Sequence, residues 1–192
     1  MKLSWIPYKP QIGKLLKMIL PNNMVVPILQ GRLKGTKWIV GSSNIECALG
    51  SYEYEKRIVF EKEVSKSSVV YDIGAHVGFY TLLASELVSG GGRVIAFEPA
   101  FRNLKYLKKH VEINHCANVK IIEAAVSDKS GISHFNEGHS SSMGHLSEDG
   151  NLTVDTVSID KLVGAGKIPA PDYIKIDVEG AELLVLKGAK ST

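Results

Sequence analysis

Four short apolar runs restrict the fold of this chain more than anything else in its sequence. They are Val69 to Ile73, Val94 to Phe97, Val119 to Ile122 and Tyr173 to Ile176. Each is near-continuous rather than alternating, the pattern of a strand covered on both faces. The gaps between them are roughly two dozen residues or more, enough for helical crossovers between parallel strands. Helical patterns fill the first two gaps. Phe79, Leu82, Leu83 and Leu87 recur after the first run, and Phe101, Leu104, Leu107 and Val111 after the second, with Pro99 near the start of that helix, where proline is tolerated. The expectation is an α/β fold of βαβ units around a mostly parallel sheet.

The first run leads directly into Gly74-Ala75-His76-Val77-Gly78, giving the local order strand, tight turn, helix. Such a turn is expected to offer backbone N–H groups and the positive end of a helix dipole to a ligand, with glycine permitting close approach. The dinucleotide fingerprint G-x-G-x-x-G is not met, because counting from Gly74 its second glycine falls on His76 and its third on Phe79. The pattern is D-x-G-x-x-x-G, and Asp72 ahead of the turn favours a ligand carrying an ammonium group. Glu98 ends the second run, twenty positions after Gly78. A carboxylate there accepts from two ribose hydroxyls at once, which makes Glu98 the best single ribose contact. The loop after the third run, Glu123-Ala124-Ala125, is where a nucleotide-binding sheet borders the base; Ala125 is the expected contact and Glu123 the alternative. The fourth run exits through Asp177-Val178-Glu179-Gly180, setting two acids at the strand ends where ligands of open parallel sheets bind. Acids crowded at a strand tip call for a ligand, a cation or a base-catalysed step, against the plainer role of capping the next helix.

The remainder frames this core. Residues 1–65 are expected to form an N-terminal appendage. It comprises a short amphipathic helix within Ile12 to Leu20, small strands around Trp38-Ile39-Val40, and a lead-in helix with Tyr54, Ile58 and Val64 on its apolar face. Residues 66–192 form the core. Between the third and fourth runs, Gly131 to Asn151 is rich in Ser, Gly and His, and Leu152 to Ile159 alternates. That pattern predicts a strand or hairpin excursion, then a helix from Ile159 to Val163 ended by Gly164. A later helix through Leu183, Leu184 and Leu186 is expected to stop at Gly188. His134, His139 and His145 match no compact metal box, so no metal site is expected. Lys105, Lys108 and Lys109 read as a solvated helix face, and a net charge of +3 gives no reason to expect a nucleic-acid partner. No run approaches the ~18 apolar residues of a bilayer span. Cys47 and Cys116 stand isolated, so the expectation is a cytoplasmic protein without disulfides or a membrane span.

Taken in order, five segments resemble the FkbM family of S-adenosylmethionine (SAM)-dependent methyltransferases. They are Gly50-Ser51-Tyr52-Glu53, Asp72-Ile73-Gly74-Ala75-His76-Val77-Gly78, Ala96-Phe97-Glu98-Pro99, Ala125-Val126-Ser127-Asp128 and Lys175-Ile176-Asp177-Val178-Glu179-Gly180-Ala181-Glu182. The D-x-G-x-x-x-G element is similar to the first motif of class I enzymes. The resemblance runs from about Gly50 to Gly188 and implies a Rossmann-like class I methyltransferase three-layer sandwich with SAM as cofactor. It implies O-methylation of a sugar or small-metabolite hydroxyl. On it, Asp72, Gly74, Ala75, His76 and Gly78 line the methionine end of SAM, Glu98 the ribose, and Asp177 with Glu179 the acceptor side as candidate catalytic acids. His76 stands where many members carry Asn. A class I sheet has seven strands and four are visible here, so the sheet is expected to lack its last strands and to leave an edge open to self-association. The rival readings are a nicotinamide-dependent oxidoreductase, disfavoured by the missing glycines, and a non-catalytic SAM-binding or scaffold domain. On the methyltransferase reading, Glu98→Ala weakens SAM binding and leaves the fold intact.

Overall fold

The computed structural model describes residues 19–136, 145, 146, 150 and 152–192. Most of the expected N-terminal amphipathic helix, together with His139, lies outside them. The chain begins with an antiparallel hairpin of β1 (Val25–Pro27) and β2 (Lys37–Ile39), followed by α1 (Ile45–Leu49) and α2 (Tyr54–Glu63). The order then becomes β3 (Val69–Ile73), α3 (Phe79–Leu87), β4 (Arg93–Phe97), α4 (Phe101–Ile113) and β5 (Val119–Ile122). An excursion follows, made of β6 (Ala125–Val126), β7 (Gly131–Asn136), β8 (His145–Leu146) and β9 (Leu152–Val157). The chain returns through α5 (Ile159–Gly164), β10 (Tyr173–Ile176) and α6 (Glu182–Lys187).

All four expected runs become strands of one parallel sheet, ordered β10-β3-β4-β5, with Lys175 beside Asp72 and Asp72 beside Ala96 in register. The architecture is a Rossmann-like α/β sandwich. Side chains of β3 and β4 alternate between two covered faces, which is why these strands are apolar throughout. Val70 and Val94 pack with Leu82, Leu83 and Leu87 of α3, while Ala96 packs with Leu104 and Leu107 of α4. Tyr71, Ile73, Ile95 and Phe97 face the other way, onto Ile159 of α5 and Val185 of α6. Because β4 and β10 flank β3 on opposite sides, the winding reverses at β3. A crevice is expected to open beyond the carboxyl ends at such a switch point.

The hairpin is fastened to this core through His110 of α4. Its ring stacks on Trp38 at 4.1 Å, its Nε2 accepts the Ile39 N–H at 3.0 Å, and its Nδ1–H donates to the Val77 carbonyl at 2.7 Å. These two bonds fix one neutral tautomer, and burial holds the imidazole well below its ordinary range, at about 4.

Three helices differ from the sequence expectation. Of the expected apolar face of α2, Val64 at the helix end is buried, but Tyr54 and Ile58 are exposed, and within the helix the buried residue is Arg57, at 3% exposure. Its Nη1 donates to the Gly50 carbonyl at 2.6 Å and its Nε pairs with Glu61 at 3.2 Å, so α2 is held by a guanidinium bridging to the turn before it. In α4, Phe101 is 81% exposed and the covered stripe instead runs through Asn103, Leu104, Leu107 and His110. In α6, Leu183 and Leu186 are exposed and Val185 is the buried residue. Gly188 does end α6, but with an ordinary right-handed φ of −82°. A side chain there would collide with the Ser127 carbonyl, so the glycine serves close approach rather than a left-handed cap. The excursion forms a second sheet, ordered β6-β9-β7-β8.

Candidate functional site

The carboxyl ends of β3, β4 and β10 open into one cavity. Of the residues expected from sequence, Gly74, Ala75, His76, Glu98, Ala125, Asp177 and Glu179 line it together. Asp72 and Gly78 do not. Asp72 is 1% exposed, its Oδ2 accepting the Thr81 hydroxyl at 2.7 Å and its Oδ1 paired with Lys175 Nζ at 3.0 Å. A carboxylate consumed in this way is a buried counter-ion to Lys175 and is not presented to a ligand. Gly78 begins α3 at φ +99°, and a Cβ there would come within 2.7 Å of Leu107 Cδ1. Its glycine serves the packing of α3 against α4.

The turn after β3 also differs from a phosphate cradle. The N–H groups of Gly74 and Ala75 both donate to the Phe97 carbonyl, at 3.0 and 2.9 Å, and that of Gly78 to the Ala75 carbonyl at 2.8 Å. The His76 N–H donates to Glu98 Oε2 at 2.8 Å. Four amides expected to greet a ligand are therefore already paired, three with Phe97 and Glu98 and one within the turn. Glu98 Oε1 in turn accepts from Ala100 N–H at 3.0 Å and Asn103 Nδ2 at 3.1 Å. Burial pushes the Glu98 carboxyl above its ordinary range, and these three donors offset part of that shift. Glu98 thus organises the turn as well as facing the cavity.

His76 adopts φ +52°. Its Nε2 is buried without a hydrogen-bond partner among the described residues. Burial first, then the nearby Lys175 and Arg102 charges, hold its ring at about 4, so it is neutral at physiological pH. Two further non-glycine residues on the same cavity take left-handed backbones: Glu53 at φ +42° and Glu179 at φ +50°. Each such conformation costs on the order of 1–3 kcal/mol and persists where surrounding structure enforces it, often at functional sites.

Several lining residues were given no role from sequence. Glu53 accepts the Tyr80 hydroxyl at 3.0 Å and pairs with Lys56 at 3.1 Å. Burial pushes the Tyr52 and Tyr80 phenols up, and the Glu53 charge adds to both shifts. Tyr52-Glu53 did stand among the motif segments, so a signal was there. Lys175 enters from β10, with Nζ 3.3 Å from the Gly74 carbonyl, 3.7 Å from Asp177 Oδ2 and 5.0 Å above the Tyr80 ring centroid. Phe135 reaches the cavity from β7, and nothing local to its sequence announces that. Glu123, the alternative to Ala125, is not part of the lining and pairs with Lys108 at 2.7 Å. Among the described residues, no group of three or more His, Cys, Asp or Glu side chains is arranged to hold a metal ion.

The Methyltransferase FkbM domain model matches residues 72–192. That span runs from within β3 to the last residue and takes in the β3, β4 and β10 exits. The chain belongs to the FkbM methyltransferase family. Hexuronic acid methyltransferase AglP of Haloferax volcanii is 31% identical over 134 residues, an alignment covering 69% of this chain and 54% of that protein. This FkbM chain therefore spans about half the length of that relative. Among solved structures, methyltransferase FkbM from Methylobacillus flagellatus aligns at 24% identity and a TM-score of 0.49, covering 67% of this chain and 30% of that one. Precorrin-6y C5,15-methyltransferase from Geobacter metallireducens aligns at 18% identity and a TM-score of 0.47, covering 73% and 57%.

Proposed function

We propose that this FkbM-family chain binds SAM in the cavity at the β3, β4 and β10 exits and methylates a sugar hydroxyl. The observation that carries this reading is the pairing of the turn. Glu98 faces the cavity while the neighbouring amides are spent on Phe97 and on Glu98 itself. Such a site suits an adenosine with free ribose hydroxyls and no phosphates, and it disfavours a pyrophosphate-bearing dinucleotide. The residues fit SAM as follows: Glu98 for the ribose, Ala125 beside the base, and Gly74, Ala75 and His76 along the methionine end.

When bound, SAM supplies a methyl carbon already activated by its sulfonium. What remains for the protein is to exclude water and to hold the acceptor oxygen in line at about 3 to 3.5 Å. The carboxylates of Asp177, Glu179 and Glu53 ring the cavity and supply candidates to orient the acceptor hydroxyl and receive its proton. A sugar acceptor is supported by the similarity to a hexuronic acid methyltransferase. A cytoplasmic location is part of this reading, supported by the two unpaired cysteines. Among the described residues, no helix is long and apolar enough to cross a membrane. Self-association through the outer edge of β10, which has no strand partner among the described residues, is part of the same reading.

The test is incubation with methyl-labelled SAM and a panel of neutral and hexuronic acid methyl glycosides. Label on a ring hydroxyl, stable to mild base, is expected. Binding of SAM without transfer to any hydroxylated acceptor would favour the scaffold reading instead.

A further inference from the structure

We propose that Lys175 and Asp177 form a clamp for the zwitterionic end of SAM, the Lys175 ammonium taking the α-carboxylate and the Asp177 carboxylate taking the α-ammonium. The clamp rests on the SAM reading above and specifies which part of that ligand lies against β10.

Lys175 is held in place by the sheet. In the parallel register it stands directly beside Asp72, whose Oδ1 is 3.0 Å from Nζ, and the Gly74 carbonyl is 3.3 Å away. The Gly74 contact is a directed hydrogen bond and the Asp72 contact an ion pair, and the Tyr80 ring covers the group at 5.0 Å. The side chain is 16% exposed and lines the cavity. Asp177 follows two residues later, its side chain 47% exposed, with Oδ2 3.7 Å from the same Nζ. That spacing exceeds the ~2.7–2.9 Å of a charge-assisted hydrogen bond, and Asp177 has no closer side-chain partner among the described residues. Opposite charges therefore stand side by side at the cavity, close enough to attract and too far apart to satisfy each other.

An α-amino acid carries a carboxylate and an ammonium on one carbon, the same pairing in complementary order. Its entry replaces one long ion pair by two short ones. The charge balance agrees: Asp72, Lys175 and Asp177 together carry one net negative charge, and SAM with its carboxylate, ammonium and sulfonium carries one net positive charge. Spacing is protected by Gly74, because a Cβ there would collide with the Asp177 carbonyl. Among the described residues, the other lining cation, Lys56, is a weaker candidate. It is already paired with Glu53 at 3.1 Å and its side chain is 71% exposed, so solvent screens it. With Asp177 turned to the cofactor, Glu179 and Glu53 are left to meet the acceptor.

The test uses calorimetry on the full chain with three nucleosides: S-adenosylhomocysteine, its decarboxylated analogue lacking the α-carboxylate, and its deaminated analogue lacking the α-ammonium. The wild-type protein is expected to bind S-adenosylhomocysteine about 10-fold or more tighter than either analogue, as the loss of a hydrogen bond to a charged group implies. The Asp72→Asn/Lys175→Met double variant removes both buried charges together, so neither is left unpaired. It is expected to bind S-adenosylhomocysteine no better than the decarboxylated analogue while keeping its preference over the deaminated one. Asp177→Asn, at a half-exposed position safe for folding, is expected to lose the opposite preference. Variants that keep the wild-type discrimination, or that weaken all three ligands equally, overturn the clamp. Wild-type protein that binds the three alike overturns the clamp and spares the SAM site; protein that binds none of them overturns both.

Discussion

Replacing Glu98 by Gln removes one acceptor oxygen from a side chain whose two oxygens serve three donors. In wild type, Oε2 takes the His76 N–H, and Oε1 takes the Ala100 N–H and Asn103 Nδ2. The cheaper orientation of the amide keeps its oxygen on Ala100 and Asn103 and turns its NH2 against the His76 N–H, donor to donor. A stranded buried donor costs ~1–3 kcal/mol. The loss is pulled toward the lower figure because burial raises the Glu98 pKa. The folded pKa lies above the unfolded one, so the stability contributed by this group is present at low pH and lost as pH rises through the folded value; Gln escapes that loss. For a chain of this size the net cost corresponds to a fall in the thermal midpoint of about 2–12 °C. Calorimetric unfolding at neutral pH reads it. Titration with S-adenosylhomocysteine reads the second consequence, an affinity about 10-fold lower from loss of a charged acceptor for the ribose. An unchanged midpoint together with unchanged affinity would refute the argument. Glu98→Ala strands all three donors, so the expectation from its position alone, weaker binding with an intact fold, changes: each stranded donor adds its own cost.

Other perturbations have equally definite outcomes. His110→Phe keeps a ring against Trp38 but strands the Ile39 N–H and the Val77 carbonyl, so a loss of ~2–6 kcal/mol in urea unfolding is expected; a loss below 1 kcal/mol would contradict the pairing. Folded His76 and His110 both titrate at about 4 against an ordinary 6.5. Their contribution is complete above pH 6.5, falls as pH drops from 6.5 towards 4, and reaches on the order of 3 kcal/mol per histidine. In His110→Phe the slope of stability against pH should be shallower across that window, and an identical slope would remove His110 as a cause. Gly74→Ala adds a Cβ against the Asp177 carbonyl at φ +77°. It should cost more than ~1 kcal/mol of stability and abolish nucleoside binding, while a variant that binds normally would show that the β3 and β10 exits need not touch.

What the sequence discloses and what it hides follow from the range of the interactions. Strands covered on both faces write continuous apolar runs, so β3, β4, β5 and β10 were legible from composition within each run. Glu98, Asp177 and Glu179 were legible as cavity residues because a position at a strand's carboxyl end follows once the strand is known. The partner of Asp72 was not legible: Lys175 stands 103 residues later in sequence and beside it only through parallel register. For the same reason the turn looked open to a ligand, since its amides are spent on a carbonyl and a carboxylate of the next strand. Helical spacing placed Phe101 on the covered face of α4, yet it sits at the first helical residue, exposed to solvent. In α2, apolar spacing pointed to Tyr54 and Ile58, whereas the buried anchor is a guanidinium whose purpose, holding the Gly50 carbonyl, is visible only in three dimensions. Phe135 arrives through pairing of β7 with β9, which no local pattern encodes.

On the proposed function, this cavity binds SAM and not a dinucleotide. Parallel calorimetric titrations of the full chain with SAM and with NAD test it most directly. Saturable binding of SAM, competed by S-adenosylhomocysteine, with no heat from NAD, is the predicted result. Binding of NAD in the absence of SAM binding would contradict the account.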